Sequence, residues 1–227
     1  MADQPLAEKF KFMIFKDRPE AGRKLAAKLT DYKGKKDTLI LALPRGGVVT
    51  GFEIAKALNL PLDIVVPRKI GAPGNEEYAI GAITESGEGI FDQQAIASLN
   101  VSQEYLKKIV AQEQTEAQRR LKSYRQERPD LDLKNKTVII VDDGLATGLT
   151  MRAAIKSIKQ KKAAKIIVAI PVAAQDSLAV IKKEADDVIY LDAPLYFGAV
   201  GAFYENFGQT TDEEVIELMK KSKNFGQ

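Results

Sequence analysis

Short apolar runs alternate with amphipathic stretches along most of this chain of 227 residues. The runs are rich in β-branched residues and carry few charges, as expected for strands buried on both faces of a parallel sheet. They occupy residues 38–43, 62–66, 137–141, 165–172 and 187–191. Apolar positions at helical spacing predict helices beginning at Asp17 with Pro19 in the first turn, over 48–58, up to about Lys159, over 176–184 and from about Thr211. This alternation predicts an α/β fold, a Rossmann-like, mostly parallel sheet with flanking helices.

Three segments depart from the alternation. Residues 67–77 mix prolines and glycines with charges, which predicts an irregular loop, and 79–84 with 90–91 predict a small hairpin after it. Residues 102–128 predict a long polar helix, ended by Pro129, whose apolar stripe is thin. We expect that helix to lie exposed on the sheet or on a partner subunit, and a charged lid over a site is the alternative.

The length favours a single domain over residues 15–227, preceded by an N-terminal extension of residues 1–14. The start of the chain does not resemble a signal peptide, and no apolar run approaches membrane-spanning length. We therefore expect a cytoplasmic protein with no membrane partner.

Composition narrows the chemistry. The 34 basic and 31 acidic residues leave the chain only weakly basic, so nucleic acid is not an expected partner. Cysteine and histidine are both absent, which excludes thiolate catalysis, Ser-His-Asp hydrolysis and histidine general bases. Carboxylates, lysines, tyrosines and backbone dipoles remain for any chemistry.

The most informative stretch is 138–150, where a buried strand ends in Asp142-Asp143 and a small-residue loop leads into a helix. Gly144 and Gly148 permit close backbone approach, and Thr147 or Thr150 can cap the helix. The free N–H groups at a helix start form an anion site. Two carboxylates beside an anion site require a ligand that also brings hydroxyl donors or a divalent cation. A phosphorylated sugar with Mg²⁺ supplies both.

Other phosphate-binding motifs are absent from the sequence. It contains no G-x-x-x-x-G-K-[ST] segment, and no G-x-G-x-x-G follows a predicted strand. Nothing in the chain therefore favours a nucleoside triphosphatase or a dinucleotide-binding protein.

The stretch resembles the phosphoribosyl pyrophosphate (PRPP) motif of type I phosphoribosyltransferases. In most members the residue after the second aspartate is aliphatic, whereas here it is Gly144. The resemblance implies catalytic roles for Asp142 and Asp143, which would bind the ribose hydroxyls. It implies that the 5′-phosphate is bound by the segment that follows: Gly144, Leu145, Ala146, Thr147, Gly148 and Thr150.

Further segments resemble other parts of the family's site. Pro44-Arg45-Gly46-Gly47 follows the first strand as a pyrophosphate loop does, where glycines expose N–H groups and Arg45 offers a forked donor. The segment 67–91, in particular 67–77, resembles the flexible catalytic loop, which would bring Arg68 or Lys69 to the leaving pyrophosphate.

An aromatic segment at 192–207 resembles the hood that holds the acceptor base. The candidate base-stacking residues are Tyr196, Phe197, Phe203 and Tyr204, and packing within the core is an equal alternative for them. Phe15, Asp17 and Arg18 would complete the hood. The polar helix 102–128 is absent from minimal members, which indicates an uncharacterised branch of predicted phosphoribosyltransferases whose acceptor cannot be transferred from the salvage enzymes.

The leading hypothesis is a Mg²⁺-dependent enzyme that moves ribose 5-phosphate from PRPP to a nitrogen of a planar base and releases pyrophosphate. The alternatives are a non-catalytic regulator that binds PRPP or a nucleotide, suggested by the lysine-rich tracts 33–36 and 156–165, and a PRPP hydrolase. Mg²⁺ would be held mainly by the ligand, near Asp142 and Asp143. A homodimer is expected from the resemblance and from the apolar stripe of helix 102–128.

Overall fold

The computed structural model describes residues 12–126, 128–129 and 131–226. Most of the predicted N-terminal extension, residues 1–11, lies outside the described residues. The strands are β1 (Thr38–Ala42), β2 (Leu62–Ile64), β3 (Arg68–Ala72), β4 (Asn75–Ile83), β5 (Gly89–Phe91), β6 (Thr137–Val141), β7 (Lys165–Val172) and β8 (Asp187–Asp192). The helices are α1 (Arg18–Lys28), α2 (Gly46–Leu58), α3 (Gln93–Ser98), α4 (Gln103–Arg125), α5 (Leu149–Gln160), α6 (Gln175–Glu184) and α7 (Asp212–Lys221).

The five predicted apolar runs form one parallel sheet in the order β2-β1-β6-β7-β8, which confirms the predicted α/β architecture. Strands β1 and β6 are neighbours, and their last residues Ala42 and Val141 are paired in register. The loops that follow these two strands therefore leave the sheet side by side. Ligands of open α/β sheets bind at this carboxyl edge.

The sheet is covered on both faces, as the uninterrupted apolar strands require. Along β1, Ile40 and Ala42 pack on one face with residues of α1, α2, α4 and α7. Leu39 and Leu41 pack on the other face with residues of α5 and α6. The central strands are thus buried on both sides, which places the carboxylates after β6 at the rim of a rigid core.

The irregular loop predicted for 67–77 is wrong, because β3 and β4 pair as antiparallel strands and β5 extends them into a second, three-stranded sheet. The prolines that suggested a loop lie outside the pairing, since Pro67 precedes β3 and Pro73 is in the turn. Gly71 stands where the strands approach closely, and a Cβ there would lie 2.6 Å from the backbone oxygen of Glu76. The predicted hairpin around residues 86–89 is confirmed as the β4–β5 pair.

The second sheet has its own small core. It contains Ile70, Ala72, Ile80 and Ile83 from the strands, with residues of α3 and partly buried residues of α4. Helix α3 was not predicted; it is six residues long and is capped by Asp92, whose carboxylate accepts the N–H of Ala95. Such a short helix carries too few apolar positions to show a period.

The long polar helix is confirmed as α4, capped by the hydroxyl of Ser102. Only Ala117, Tyr124 and Arg125 of this helix are buried. Its first part lies against the small sheet, where Glu113 pairs with Arg68, and its last part lies against α7. Within the described residues, no helix is long and apolar enough to cross a membrane.

Candidate active site

Two glycine-bearing loops converge on the carboxylates after β6. The loop after β1 begins with a cis peptide between Pro44 and Arg45 and continues into α2 at Gly46. A Cβ on Gly46 would lie 1.9 Å from Oδ2 of Asp143, and a Cβ on the next residue, Gly47, would lie 2.9 Å from Oδ1 of Asp142. Only glycine permits this approach, so the loop backbone lies directly against both carboxylates.

The two carboxylates are held by different partners. The backbone N–H of Asp143 donates to Oδ1 of Asp142 over 2.9 Å. The guanidinium of Arg18 donates from Nε to Oδ2 of Asp143 over 2.7 Å, with the two side chains only 11% and 15% exposed. Burial, reinforced by repulsion from Asp143, raises the pKa of Asp142 well above its ordinary value. Burial also raises the pKa of Asp143, and Arg18 opposes that rise.

Arg18 is the site residue that the sequence indicated least clearly, as one member of a segment completing the hood. It is the first residue of α1 and lies 125 positions before its carboxylate partner. Its guanidinium carbon is 3.9 Å from the centre of the Phe207 ring, and Nη1 donates to the carbonyl of Gly208 over 2.7 Å. Stacking and hydrogen bonding together fix the orientation of the cation at the acid pair.

The loop after the acid pair is tied to the neighbouring strand. The N–H of Leu145 donates to the carbonyl of Val172, and the carbonyl of Leu145 accepts the N–H of Ala174, each over 2.9 Å. Thr147 and Ala146 are exposed. The predicted threonine cap of α5 is wrong.

Gly148, in the left-handed region at φ 76°, precedes the first helical residue of α5. Thr150 is already the second helical residue, so its hydroxyl cannot cap the helix start. A glycine in place of a side-chain cap leaves the first N–H groups of α5 directed towards the exposed loop, where an anion can accept them.

The glycine at position 144, which departs from the usual family pattern, has a steric reason. A Cβ there would lie 2.4 Å from Cγ1 of Val200, which lies within the aromatic segment 192–207. An aliphatic residue at this position would collide with the hood. Gly144 therefore lets the hood pack closely over the loop.

A cavity of about 310 Å³ opens beside the acid pair. Its lining combines two guanidinium groups, an aromatic ring, the loop after β1 and the segment 208–210: Arg18, Arg45, Gly46, Phe207, Gly208, Gln209 and Thr210. Nη1 of Arg45 lies 3.4 Å from Oδ1 of Asp212, at the start of α7. The cavity thus offers positive charge and N–H donors next to two carboxylates, a combination suited to a ligand with both anionic and hydroxyl groups.

A family model described as a phosphoribosyl transferase domain matches residues 14–202. The chain belongs to this family. Its parallel sheet, with helices on both faces and the acid pair after β6, is the type I phosphoribosyltransferase fold.

Relatives of similar sequence agree with the family. Two Mycobacterium tuberculosis proteins that are provisionally named as phosphoribosyl transferases, MT0597 of strain CDC 1551 / Oshkosh and Rv0571c of strain H37Rv, are 38% identical over 209 residues. The match covers 92% of this chain and 47% of each relative, so the chain spans about half their length. The crystal structure of TT1426 from Thermus thermophilus is 39% identical in sequence, with a TM-score of 0.77 over 92% of this chain and 99% of that one.

Arg68 and Lys69, predicted to reach the leaving group of a phosphoribosyltransferase, lie elsewhere in this structure. Both are on β3, where Arg68 donates to Glu113 over 2.7 Å and Lys69 lies 3.0 Å from the carboxylate of Glu77. Among the described contacts, none joins either residue to the acid pair. The structure therefore brings the acid pair together with the Arg45 loop, while the described partners of Arg68 and Lys69 lie on α4 and β4.

The four predicted base-stacking aromatics divide into two pairs. Phe203 and Tyr204 are 3% and 6% exposed in an aromatic core cluster, so neither ring has a face available for a base. The hydroxyl of Tyr204 donates to the carbonyl of Asp143 over 2.5 Å. Tyr204 therefore helps to hold the backbone of the acid pair in place. Tyr196 is 73% exposed, and Phe197 is partly buried with its ring centre 5.1 Å from that of Phe203.

Proposed function

We propose that this protein is a Mg²⁺-dependent phosphoribosyltransferase that moves ribose 5-phosphate from PRPP to a nitrogen of a planar base. The close approach of Gly46 to Asp143 and of Gly47 to Asp142 carries the proposal. The carboxylates, which can accept hydroxyl groups, are thereby adjacent to a loop that offers N–H donors and Arg45. One ligand can contact both. In the reaction, the bond between C1 of ribose and the pyrophosphate oxygen breaks, a bond from C1 to the acceptor nitrogen forms, and the acceptor loses a proton.

Each part of the donor has a matching group in the chain. The loop 144–148 and the start of α5 would bind the 5′-phosphate, with Gly144, Leu145, Ala146, Thr147, Gly148 and Thr150 as the residues concerned. Asp142 and Asp143 would accept hydrogen bonds from the ribose hydroxyls. Arg45, Gly46 and Gly47 would bind the pyrophosphate, whose negative charge grows as the bond to C1 breaks.

Arg18 offsets part of the cost of charge on the acid pair. Two adjacent, partly buried carboxylates repel each other and are costly to keep charged. The ion pair with Arg18 opposes this cost at Asp143 and favours its charged form, which accepts a hydrogen bond from a sugar hydroxyl more strongly than the protonated form. The transfer needs no nucleophilic side chain, and positioning with electrostatic stabilisation provides the catalysis.

Mg²⁺ fits this site as a ligand-held ion. Across the described part of the chain, no group of three or more aspartate or glutamate side chains is arranged to hold a metal, and the acid pair offers two. Magnesium is commonly held by one or two carboxylates together with substrate phosphates. When bound, it would neutralise charge on the departing pyrophosphate.

Fewer residues can be assigned to binding the acceptor base than to binding PRPP. We assign base stacking to Tyr196 and Phe197, because Phe203 and Tyr204 are buried. Arg68 and Lys69 stay candidates for the leaving pyrophosphate only if the β3–β4 hairpin changes its position. The cytoplasmic location and the homodimer stay predictions of the sequence.

The experiment is product analysis by phosphorus NMR. The protein is incubated with Mg²⁺, PRPP and a panel of purines, pyrimidines and small amines. We expect a nucleotide and pyrophosphate with at least one acceptor. Breakdown of PRPP without any dependence on the base would instead identify a hydrolase, and binding without turnover would identify a regulator.

Two variants test the site assignment in the same assay. Asp142→Asn with Asp143→Asn, and separately Gly46→Ala, should each weaken PRPP binding at least about tenfold, because they remove the hydroxyl acceptors or force the loop away from them. The matched control is Gly198→Ala, since a Cβ at Gly198 meets nothing within 4 Å. Unchanged PRPP affinity in both site variants would show that the donor binds elsewhere.

A further inference from the structure

Asp212 links the Arg45 loop to the inserted helix α4. Its Oδ1 lies 3.4 Å from Nη1 of Arg45 and accepts the hydroxyl of Tyr124 over 2.7 Å. Tyr124 comes from the last turn of α4, 88 positions before Asp212 in the sequence. One carboxylate oxygen therefore joins the loop after β1, the helix α7 and the helix α4.

The tyrosine at this junction is fixed. Tyr124 is 1% exposed and packs in the core cluster with Ala117 of its own helix and Val215 and Met219 of α7. A buried tyrosine that packs its ring this tightly keeps its hydroxyl in one place. The phenol thus presents a stationary donor to Asp212.

Asp212 is also constrained by its position in the chain. It is the first residue of α7, directly after Thr211, whose hydroxyl accepts the N–H of Glu214 over 3.1 Å. The Tyr124 hydrogen bond, with Arg45 also contributing, lowers the pKa of Asp212. Burial and the same hydrogen bond raise the pKa of Tyr124 to about 12. At neutral pH the carboxylate is charged and the phenol keeps its proton, so both act as the contact requires.

The contact with Asp212 restricts the motion of the Arg45 side chain. Its side chain is 29% exposed, and a partly exposed arginine loses rotamer freedom when it binds a ligand. The contact with Asp212 involves Nη1, one of the three nitrogens of a guanidinium that carries five N–H donors. An anchored guanidinium can bind an anion at a smaller entropic cost than a mobile one.

We propose that Tyr124 and Asp212 are positioning residues for Arg45, so that the inserted helix α4 sets the affinity of the site for the pyrophosphate group. This inference rests on the proposed function, which assigns Arg45 to pyrophosphate. It gives a role to α4, the helix that the resemblance predicts to be absent from minimal family members. The same helix contacts the other candidate arginine, because Glu113, three turns before Tyr124, pairs with Arg68.

The test compares two ligands that differ in the pyrophosphate group. Calorimetric titration with Mg²⁺ and PRPP, and with ribose 5-phosphate, is carried out on Tyr124→Phe and on Asp212→Asn. Asp212→Asn keeps an acceptor for Tyr124 and loses the charge that holds Arg45. We expect PRPP to bind about tenfold more weakly to each variant, the effect of misplacing a charge-assisted hydrogen-bond donor, and ribose 5-phosphate to bind as it does to wild type.

Tyr105→Phe is the matched control. It removes a hydroxyl from the same helix, where Tyr105 donates to the carbonyl of Gly71 over 3.0 Å, away from Arg45. It should change the affinity for neither ligand. Because the test uses the ratio of two affinities, a general loss of stability does not imitate the expected result.

Other outcomes overturn the inference in distinguishable ways. Wild-type affinity for PRPP in Asp212→Asn, or an equal loss for both ligands, would show that these residues have no specific role at the pyrophosphate group. If wild-type protein bound ribose 5-phosphate and PRPP equally, Arg45 would not be a pyrophosphate ligand and this inference would fail together with that assignment. If wild type bound neither ligand, the proposed function itself would be wrong.

Discussion

Asp142 is partly buried beside another carboxylate, a position that opposes stability. Its pKa lies well above the ordinary 3.8, because burial and Asp143 both disfavour the charged form. At pH values between the pKa of Asp142 in the unfolded chain and its pKa in the folded protein, the folded protein holds a proton that the unfolded chain has lost. This group therefore lowers the stability of the fold progressively as pH rises from about 4 through the folded pKa.

Asp142→Asn should remove that penalty while keeping the Oδ1 acceptor for the N–H of Asp143. We expect the variant to be more stable than wild type at pH 7, by about 1 kcal/mol, as is common when a strained functional residue is replaced. The advantage should vanish near pH 3.5, and PRPP binding should be weakened. Urea unfolding between pH 3.5 and 8 measures this.

The control for this prediction is Asp132→Asn. Asp132 is exposed, and its Oδ1 accepts the N–H of Lys134 over 2.9 Å, the distance found at Asp142. It should show no comparable gain. If Asp142→Asn were less stable than wild type at pH 7, the carboxylate would be a structural group rather than a functional one.

At the scale of elements, the sequence predicted the helices and strands that are indicated by a pattern of contiguous residues. The five apolar strands and the start of α7 near Thr211 follow from the apolar runs and from helical spacing. The hairpin β3–β4 did not, because prolines and glycines that favour loops also occur in turns and at bulges between strands. Pairing with a partner strand, which no local pattern reports, decided that segment.

Gly71→Ala tests whether the hairpin is the regular sheet described here. Its Cβ would meet the backbone of Glu76, so we expect a loss of about 1–3 kcal/mol from overpacking. Hydrogen exchange of the amides of β3 and β4 should be slow in wild type and faster in the variant. The amides of β1 and β6 should keep their rates. Fast exchange over residues 68–83 in wild type would instead support the irregular loop.

At the scale of the whole molecule, the site depends on contacts between distant parts of the chain. Arg18 and Asp143 are 125 positions apart, and Arg45 and Asp212 are 167 apart. The apolar side of α4 contacts β3 and α7 of the same chain, so it no longer supports the predicted homodimer. That prediction now rests on the family resemblance alone.

A ligand that contacts the carboxyl edge of the whole sheet should stabilise the fold as a unit. With Mg²⁺ and PRPP at about one hundred times the dissociation constant, the expected gain is about 2.7 kcal/mol. For a domain of this size, such a gain raises Tm by about 5–10 °C. Thermal unfolding followed by circular dichroism measures it, and the double variant of Asp142 and Asp143 to asparagine should show little shift. An equal shift in that variant would place the ligand elsewhere.

The sequence by itself determined the parallel α/β sheet and predicted where the donor would bind, because a run of buried residues, two carboxylates and a glycine loop are contiguous within 138–150. The residues on which these predictions depend are neighbours in the sequence. Only the tertiary structure decided that Arg18 compensates Asp143, that Phe203 and Tyr204 are core, and that α4 reaches Arg45 through Asp212. These are contacts between elements far apart in the chain, and packing, rather than local propensity, selects which side chains meet.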